Sequence, residues 1–342
     1  MTDNNNTTQE LTKKDFTVDS TIKWCAGCGA YSILSSVQNT LPKLGVKKDD
    51  FVFVSGIGCS SRFPYYIKTY GIHSLHGRAT AIASGLKSAR PDLNVWVITG
   101  DGDSMAIGGN HFIHLIRRNI DLNVIIFNNK IYGLTKGQYS PTTPMGSKTK
   151  TSPFGTIERP FMPGELTLGA QGNFFARVID KEPRGMEDVF LQAALHKGTS
   201  IIEVFQNCVI FNNAIHEQIT GKDVRDDRII YVEHNKPLIF GKERDKGLIL
   251  KGQDLEVVKI GENGISESDI LVHDANNPNP NVHYMLARMT YPTHPVAVGV
   301  IRSVEDNTYE GLLEEQIEHA KANSKIKNVD DLLNSGNVFN IE

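Results

Sequence analysis

Two short motifs carry the first recognisable chemistry in this chain. Gly100-Asp101-Gly102 ends the apolar run VWVITG and Asn128-Asn129 ends the run NVIIFNN, with 25 residues between the motifs. That interval holds a turn, a crossover helix and a second strand. Both motifs therefore belong at the carboxyl ends of adjacent parallel strands, where open α/β sheets bind ligands. An Asp carboxylate, an Asn carbonyl and a nearby backbone oxygen are hard donors suited to Mg2+, which in turn suits phosphate oxygens. The pair reads as a metal-bridged diphosphate site. The glycines let the backbone approach a ligand closely, and Ser104 can begin a helix whose amide end favours an anion. Taken singly, Gly-Asp-Gly is a tight turn and Asn-Asn a strand-ending loop; the spacing is what favours the site.

The cysteines are the second signal. Cys25 and Cys28 form a C-x-x-C in WCAGCG, Cys59 lies in SGIGCSS and Cys208 in VFQNC. In a reducing compartment such a set points to metal or redox chemistry rather than to disulfides. Buried thiols, a structural zinc site and an iron-sulfur cluster are the three environments it fits. A redox dithiol would suit the C-x-x-C alone, but the thioredoxin-like context is missing. Cys59 follows FVFVSGIG, a strand pattern whose carboxyl end would share the sheet edge used by Asp101 and Asn129.

These residues need a scaffold of alternating strands and helices. Apolar runs at Phe51, Val95, Val124, Val178 and Ile201 predict strands, and Tyr31–Thr40, Gly77–Ala89 and Ala106–Arg118 predict helices, the last being the crossover. The expected fold is α/β, a mostly parallel sheet with helices on both faces. The Thr-, Ser-, Pro- and Gly-rich stretch 137–164 reads as a long active-site loop. After residue 221 the pattern loosens into hairpin-like segments, GKERDKG and KIGENG, with a helix over 311–323. The expected organisation is a polar tail (1–20), a binding domain (21–220) and a C-terminal extension or arm (221–342).

Composition narrows the function classes. A chain of 342 residues with 39% hydrophobic content can bury a sizeable core. A net charge of −3 provides no basic face for nucleic acid, and no apolar run approaches the roughly 20 residues that span a bilayer. The polar start, MTDNNNTTQELTKKD, lacks the apolar core of a secretory signal, so a cytoplasmic location is expected.

Together, the Gly-Asp-Gly and Asn-Asn motifs resemble the thiamine diphosphate signature. That resemblance implies Asp101 and Asn129 as magnesium ligands, with the backbone of Ile131 as a third. More of the chain joins in: WCAGCG, SGIGCSS, YGIHSLHGRA, GDGDSMAIGGNH, FNNKIYGLTKGQYSPTT and the later Cys208 are similar, in order, to the β subunits of 2-oxoacid:ferredoxin oxidoreductases. The similarity runs from about Trp24 to Asn212 and weakens to about Arg302. It implies a thiamine diphosphate-binding (diphosphate-domain) fold and oxidative decarboxylation of a 2-oxo acid with coenzyme A to acyl-CoA, carbon dioxide and reduced ferredoxin. Cys25, Cys28, Cys59 and Cys208 would hold a 4Fe-4S cluster, which accepts electrons at low potential as zinc does not.

The same resemblance assigns further residues. Ile57, Gly58, Cys59, Ser60 and His76 would lie beside the thiamine cofactor, and Gly102, Asp103, Gly133 and Leu134 around its diphosphate. His76 could donate to a phosphate oxygen, against the alternative of a capping or core histidine. Lys136 matches a position that contacts coenzyme A, against the alternative of a solvated loop lysine. Arg62 could hold the distal carboxylate of 2-oxoglutarate in a forked pair, a surface salt bridge being the competing account. The stretch SSRFPYYIKTYGIHSLHGRA looks more like the 2-oxoglutarate-type subunits than the pyruvate-type. No second dinucleotide-like half is evident, so an α subunit is expected to supply the pyrimidine-binding domain. A pyruvate- or branched-chain-specific member, a non-redox thiamine-dependent decarboxylase or lyase with a zinc site, and a zinc-stabilised nucleotide-binding scaffold are the competing readings.

Overall fold

Consecutive apolar residues suit strands covered on both faces, and the runs FVFVS, NVWVITG, LNVIIFN and TSIIEVF all become such strands. The computed structural model describes residues 11–339 and residue 341. Its strands are β1 (Phe51–Ser55), β2 (Tyr70–His73), β3 (Asn94–Gly100), β4 (Leu122–Asn128), β5 (Phe174–Ile179), β6 (Thr199–Phe205), β7 (Ile229–Val232), β8 (Ile239–Phe240), β9 (Lys246–Lys251), β10 (Asp254–Lys259) and β11 (Val296–Ser303). The helices are α1 (Ala30–Thr40), α2 (Ala79–Ala89), α3 (Asp101–Met105), α4 (Gly109–Arg118), α5 (Pro163–Gly169), α6 (Pro183–Leu195), α7 (Glu217–Thr220), α8 (Arg225–Arg228), α9 (Asn281–Arg288), α10 (Tyr309–Asn323) and α11 (Val329–Leu333).

Eight strands form the main sheet in the order β2-β1-β3-β4-β6-β5-β11-β7. All neighbours are parallel except β11, which runs antiparallel to β5. Because side chains alternate across a strand, Val52, Val95, Val97, Val124 and Ile126 enter one core with Ala83, Phe112 and Leu115. Phe51, Phe53, Trp96, Ile98, Ile125 and Phe127 enter the other, with Ile33, Val37 and Phe190. Helices therefore cover both faces, as the apolar patterning requires.

Three differences from the sequence reading have physical causes. The crossover is two helices, because Ala106 leaves helical geometry (ψ −105) just before Gly108 and Gly109. Of the expected tail, residues 1–10 lie outside the described residues, while Lys13–Phe16 forms a 3-10 turn that buries Phe16 in the second core. The chain after residue 221 is more than an arm: its apolar IIYV and VAVGVIRS segments are β7 and β11 of the main sheet. The charged segments flank the antiparallel pair β9 and β10 of a separate three-stranded sheet, GKERDKG turning from β8 into β9 and KIGENG following from the last residue of β10. Among the described residues no helix is long and apolar enough to cross a membrane.

Candidate functional site

Since β1, β3, β4 and β6 are consecutive neighbours, their carboxyl ends make one rim. Onto that rim the chain places the Cys59 loop after β1, Asp101 after β3, Asn129 after β4 and Cys208 after β6. Cys25 and Cys28 join it from the turn that enters α1, where the Cys28 amide donates to the Cys25 carbonyl at 3.1 Å. The Trp24 indole closes this turn onto the Cys59 loop by donating to the Cys59 carbonyl at 2.6 Å.

Two adjoining cavities of about 280 Å³ each open on the rim. The first is lined by Ile57, Gly58, Cys59, Ser60, His76, Asp101, Gly102, Asp103, Asn129, Ile131, Gly133 and Leu134. The second gathers all four cysteines, Cys25, Cys28, Cys59 and Cys208, together with Arg62 and Lys136. Cys59, Asn129, Gly133 and Leu134 line both. Every residue named in the sequence as a cluster, magnesium, cofactor or substrate contact thus lines one cavity or the other, while Ser104 and Asn128 line neither. His73 is in neither; its ring pairs with the Tyr65 hydroxyl at 2.9 Å.

Asp101 is buried, and Ser140 and Thr142 donate to its Oδ2 at 2.5 and 2.6 Å. Burial pushes its carboxyl up to about 6, against the lowering effect of these two hydroxyls. A buried carboxylate at that cost suits a site that receives a cation. Asn129 Oδ1 accepts from the Ile131 amide at 3.2 Å, which fixes this side-chain carbonyl against the turn that follows β4. Gly102 must lack a side chain, because a Cβ there would come within 2.1 Å of the Tyr132 ring.

Asp103 has a different task. Its Oδ1 accepts from the Ile57 amide (3.1 Å), the Gly77 amide (2.7 Å) and His76 Nδ1 (2.8 Å), and its Oδ2 accepts from the Thr99 hydroxyl (2.8 Å). The side chain is spent on tying the cavity walls together. A carboxylate only accepts, so His76 Nδ1 carries the proton and Nε2 is left for other partners.

The thiol cavity has its own electrostatics. Burial pushes the Cys28 thiol up to about 11, and Cys208, Cys59 and Cys25 push in the same direction. Cys59 is raised likewise, first by burial and then by Cys208 and Cys25, with Arg62 opposing. Thiols so arranged are costly to ionise by themselves, and a metal group among them removes that cost. A Cβ on Gly133 would lie 3.6 Å from Cys208 Sγ and 3.7 Å from Cys59 Sγ, so both sulfurs approach one point on the shared wall. Among the described residues no three His, Cys, Asp or Glu side chains gather at the spacing of a single ion.

Sequence reasoning missed Ser140, Thr142 and Gln206. Ser140 and Thr142 lie in a polar loop that offered many hydroxyls and no way to choose among them. Gln206 stands two residues before Cys208, and its side chain is seen to meet Asn129 and Cys28 only when β4 and β6 are known to be neighbours.

Residues 56–204 match the family described as thiamine pyrophosphate enzyme, C-terminal TPP binding domain. The chain is 45% identical to the 2-oxoglutarate oxidoreductase subunit KorB of Mycobacterium tuberculosis over 317 residues, covering 92% of this chain and 84% of the relative. It is 38% identical to the 2-oxoacid:ferredoxin oxidoreductase 2 subunit beta of Aeropyrum pernix, over 65% of this chain and 70% of that one. The 2-oxoglutarate:ferredoxin oxidoreductase from Magnetococcus marinus, solved with 2-oxoglutarate, coenzyme A and succinyl-CoA bound, superposes with a TM-score of 0.77 at 28% identity, covering 97% of this chain and 98% of that one. The chain belongs to the KorB family of 2-oxoacid:ferredoxin oxidoreductase β subunits.

Proposed function

We propose that this subunit binds thiamine diphosphate through Mg2+ in the first cavity and a 4Fe-4S cluster in the second, and serves the oxidative decarboxylation of 2-oxoglutarate with coenzyme A. The observation that carries the reading is the shared wall of Cys59, Asn129, Gly133 and Leu134, which sets the two donor groups side by side. Asp101, Asn129 and the Ile131 backbone would hold the magnesium, an oxygen set that suits the ion. Cys25, Cys28, Cys59 and Cys208 would hold the cluster. When bound, the thiamine group supplies an electron sink for loss of carbon dioxide, and the cluster takes up the electrons released.

This chain's own residues bind and orient. His76, fixed by Asp103, offers Nε2 to a diphosphate oxygen, and Gly102 and Gly133 let backbone close on the cofactor. Arg62 beside Cys59 suits the distal carboxylate of 2-oxoglutarate, and Lys136 the phosphates of coenzyme A. Both line the second cavity, next to the wall it shares with the first. A cavity of about 280 Å³ is small beside those that enclose whole ligands. That fits a diphosphate half-site completed by an α subunit, with ferredoxin as the electron acceptor. Four free thiols suit the reducing cytoplasm.

Anaerobic purification of the chain with its α subunit, followed by iron, sulfide and thiamine analysis, tests the proposal. All three should be found, and a visible absorption band should bleach when 2-oxoglutarate and coenzyme A are added. Iron without acid-labile sulfide, or bleaching by pyruvate in preference to 2-oxoglutarate, would contradict it.

A further inference from the structure

The register of β4 against β6 sets Asn128 opposite Phe205, so the next residues on each strand, Asn129 and Gln206, leave the rim side by side. The Gln206 amide N–H donates to the Asn128 carbonyl at 3.1 Å, which fixes the backbone there. Gln206 is 2% exposed, and its side chain makes two contacts in opposite directions. Asn129 Nδ2 donates to Gln206 Oε1 at 3.1 Å, and Gln206 Nε2 donates to Cys28 Sγ at 3.3 Å. Each orientation enforces the other. The Ile131 amide pins the Asn129 oxygen, so Asn129 can offer Gln206 only its NH2 group. Gln206 must then turn its oxygen toward Asn129, which leaves its own NH2 group for the sulfur.

We propose that Gln206 is a positioning residue that couples the two centres, holding the Asn129 carbonyl toward the magnesium position and donating a hydrogen bond to the Cys28 sulfur. This rests on the function proposed above. A group outside the ligand set that orients a ligand commonly matters to metal affinity nearly as much as the ligand itself. Hydrogen bonds to ligand sulfurs are one of the levers that set cluster potential. An N–H donor favours the more negatively charged, reduced state and so raises that potential. Because one amide serves both contacts, charge on the sulfur polarises the link to Asn129.

Two substitutions separate the contacts. Gln206→Leu removes both, while Gln206→Glu keeps an oxygen for Asn129 and replaces the donor to sulfur with a second acceptor. In the anaerobic αβ protein, Gln206→Leu should weaken magnesium-dependent thiamine diphosphate binding by about 10- to 100-fold and move the cluster midpoint, read by EPR-monitored titration, to more negative potential. Gln206→Glu should move the midpoint at least as far while keeping metal affinity close to that of the unsubstituted protein. If Gln206→Leu loses its iron, Asn129→Ala reads the same coupling from the other end and should still shift the midpoint. An iron-replete Gln206→Leu protein with unmoved potential or unmoved metal affinity overturns the role of Gln206 alone. An unsubstituted protein without iron and sulfide would instead remove the function on which it rests.

Discussion

Thr142 donates its hydroxyl to Oδ2 of Asp101 at 2.6 Å, from a loop residue 41 positions away in sequence. Ser140 donates to the same oxygen. Asp101 Oδ1 receives no side-chain donor among the described residues, so the loop hydroxyls converge on one carboxylate oxygen only.

Removing both hydroxyls, as in Ser140→Ala with Thr142→Val, should leave the fold intact and lower magnesium-dependent thiamine diphosphate affinity by about tenfold or more. Titration calorimetry on the αβ protein measures this directly. Unchanged affinity would mean that the loop does not hold the ligand.

Burial and the neighbouring sulfurs of Cys208, Cys59 and Cys25 act together on the Cys28 thiol. Replacing it by Ser should reduce iron and acid-labile sulfide from about four of each per chain to well below that, and abolish ferredoxin reduction. Thiamine diphosphate should still bind, since Cys28 lines only the second cavity. Full iron content in Cys28→Ser would exclude it as a ligand.

Arg62 sits in the second cavity, in the 3-10 turn Ser60–Tyr65 that follows Cys59. A charge-assisted contact of about 1.5–3 kcal/mol corresponds to a loss of about 10- to 150-fold. Arg62→Ala should lower kcat/KM for 2-oxoglutarate by that order and leave any turnover of pyruvate unchanged. Equal losses for both substrates would point to a structural role.

Acid should destabilise the protein through two buried histidines. His216 stacks on Phe205 with centroids 4.5 Å apart and lies 2.9 Å from the Asn128 carbonyl through Nε2. Burial, reinforced by Lys130, pushes its pKa down to about 3. Burial first, and then Arg302, pushes His283 down to about 4. The unfolded chain takes up these protons near the ordinary value of 6.5, whereas the folded protein does so only at the lower values. Their contribution is therefore fully present above 6.5 and is lost as pH falls from there toward 4 and 3, by at most about 1.4 kcal/mol per pH unit for each group. Urea unfolding between pH 7 and pH 5 should show this loss, reduced in His216→Phe. An acid limb of the same slope in both proteins would show that His216 does not contribute.

How much of this was legible beforehand depends on range. Asp101, Asn129 and the four cysteines were readable because motif and spacing are local, and the strands that carry them are apolar along their whole length. The crossover spacing foretold that β3 and β4 are parallel neighbours, but the rest of the strand order was not readable. Gln206 matters because β6 pairs with β4, and the helix over 183–195 that precedes β6 gives no hint of which neighbour it will choose. The last third reads as an extension or arm in sequence because β7 has only four residues and is separated from β11 by the small three-stranded sheet and α9.

β11 brings one more consequence. Its antiparallel course means that it ends beside the start of β5, with Ser303 opposite Phe174, at the pole of the sheet away from the cofactor rim. The chain departs there: Asn119, at the foot of the crossover helix, donates to the Asn307 carbonyl, and Glu310 at the start of α10 accepts from the Asp121 amide. A fluorophore or affinity handle fixed near the start of α10 would thus ride on the back of the molecule, free to report on assembly while loading of thiamine and iron proceeds unobstructed in front.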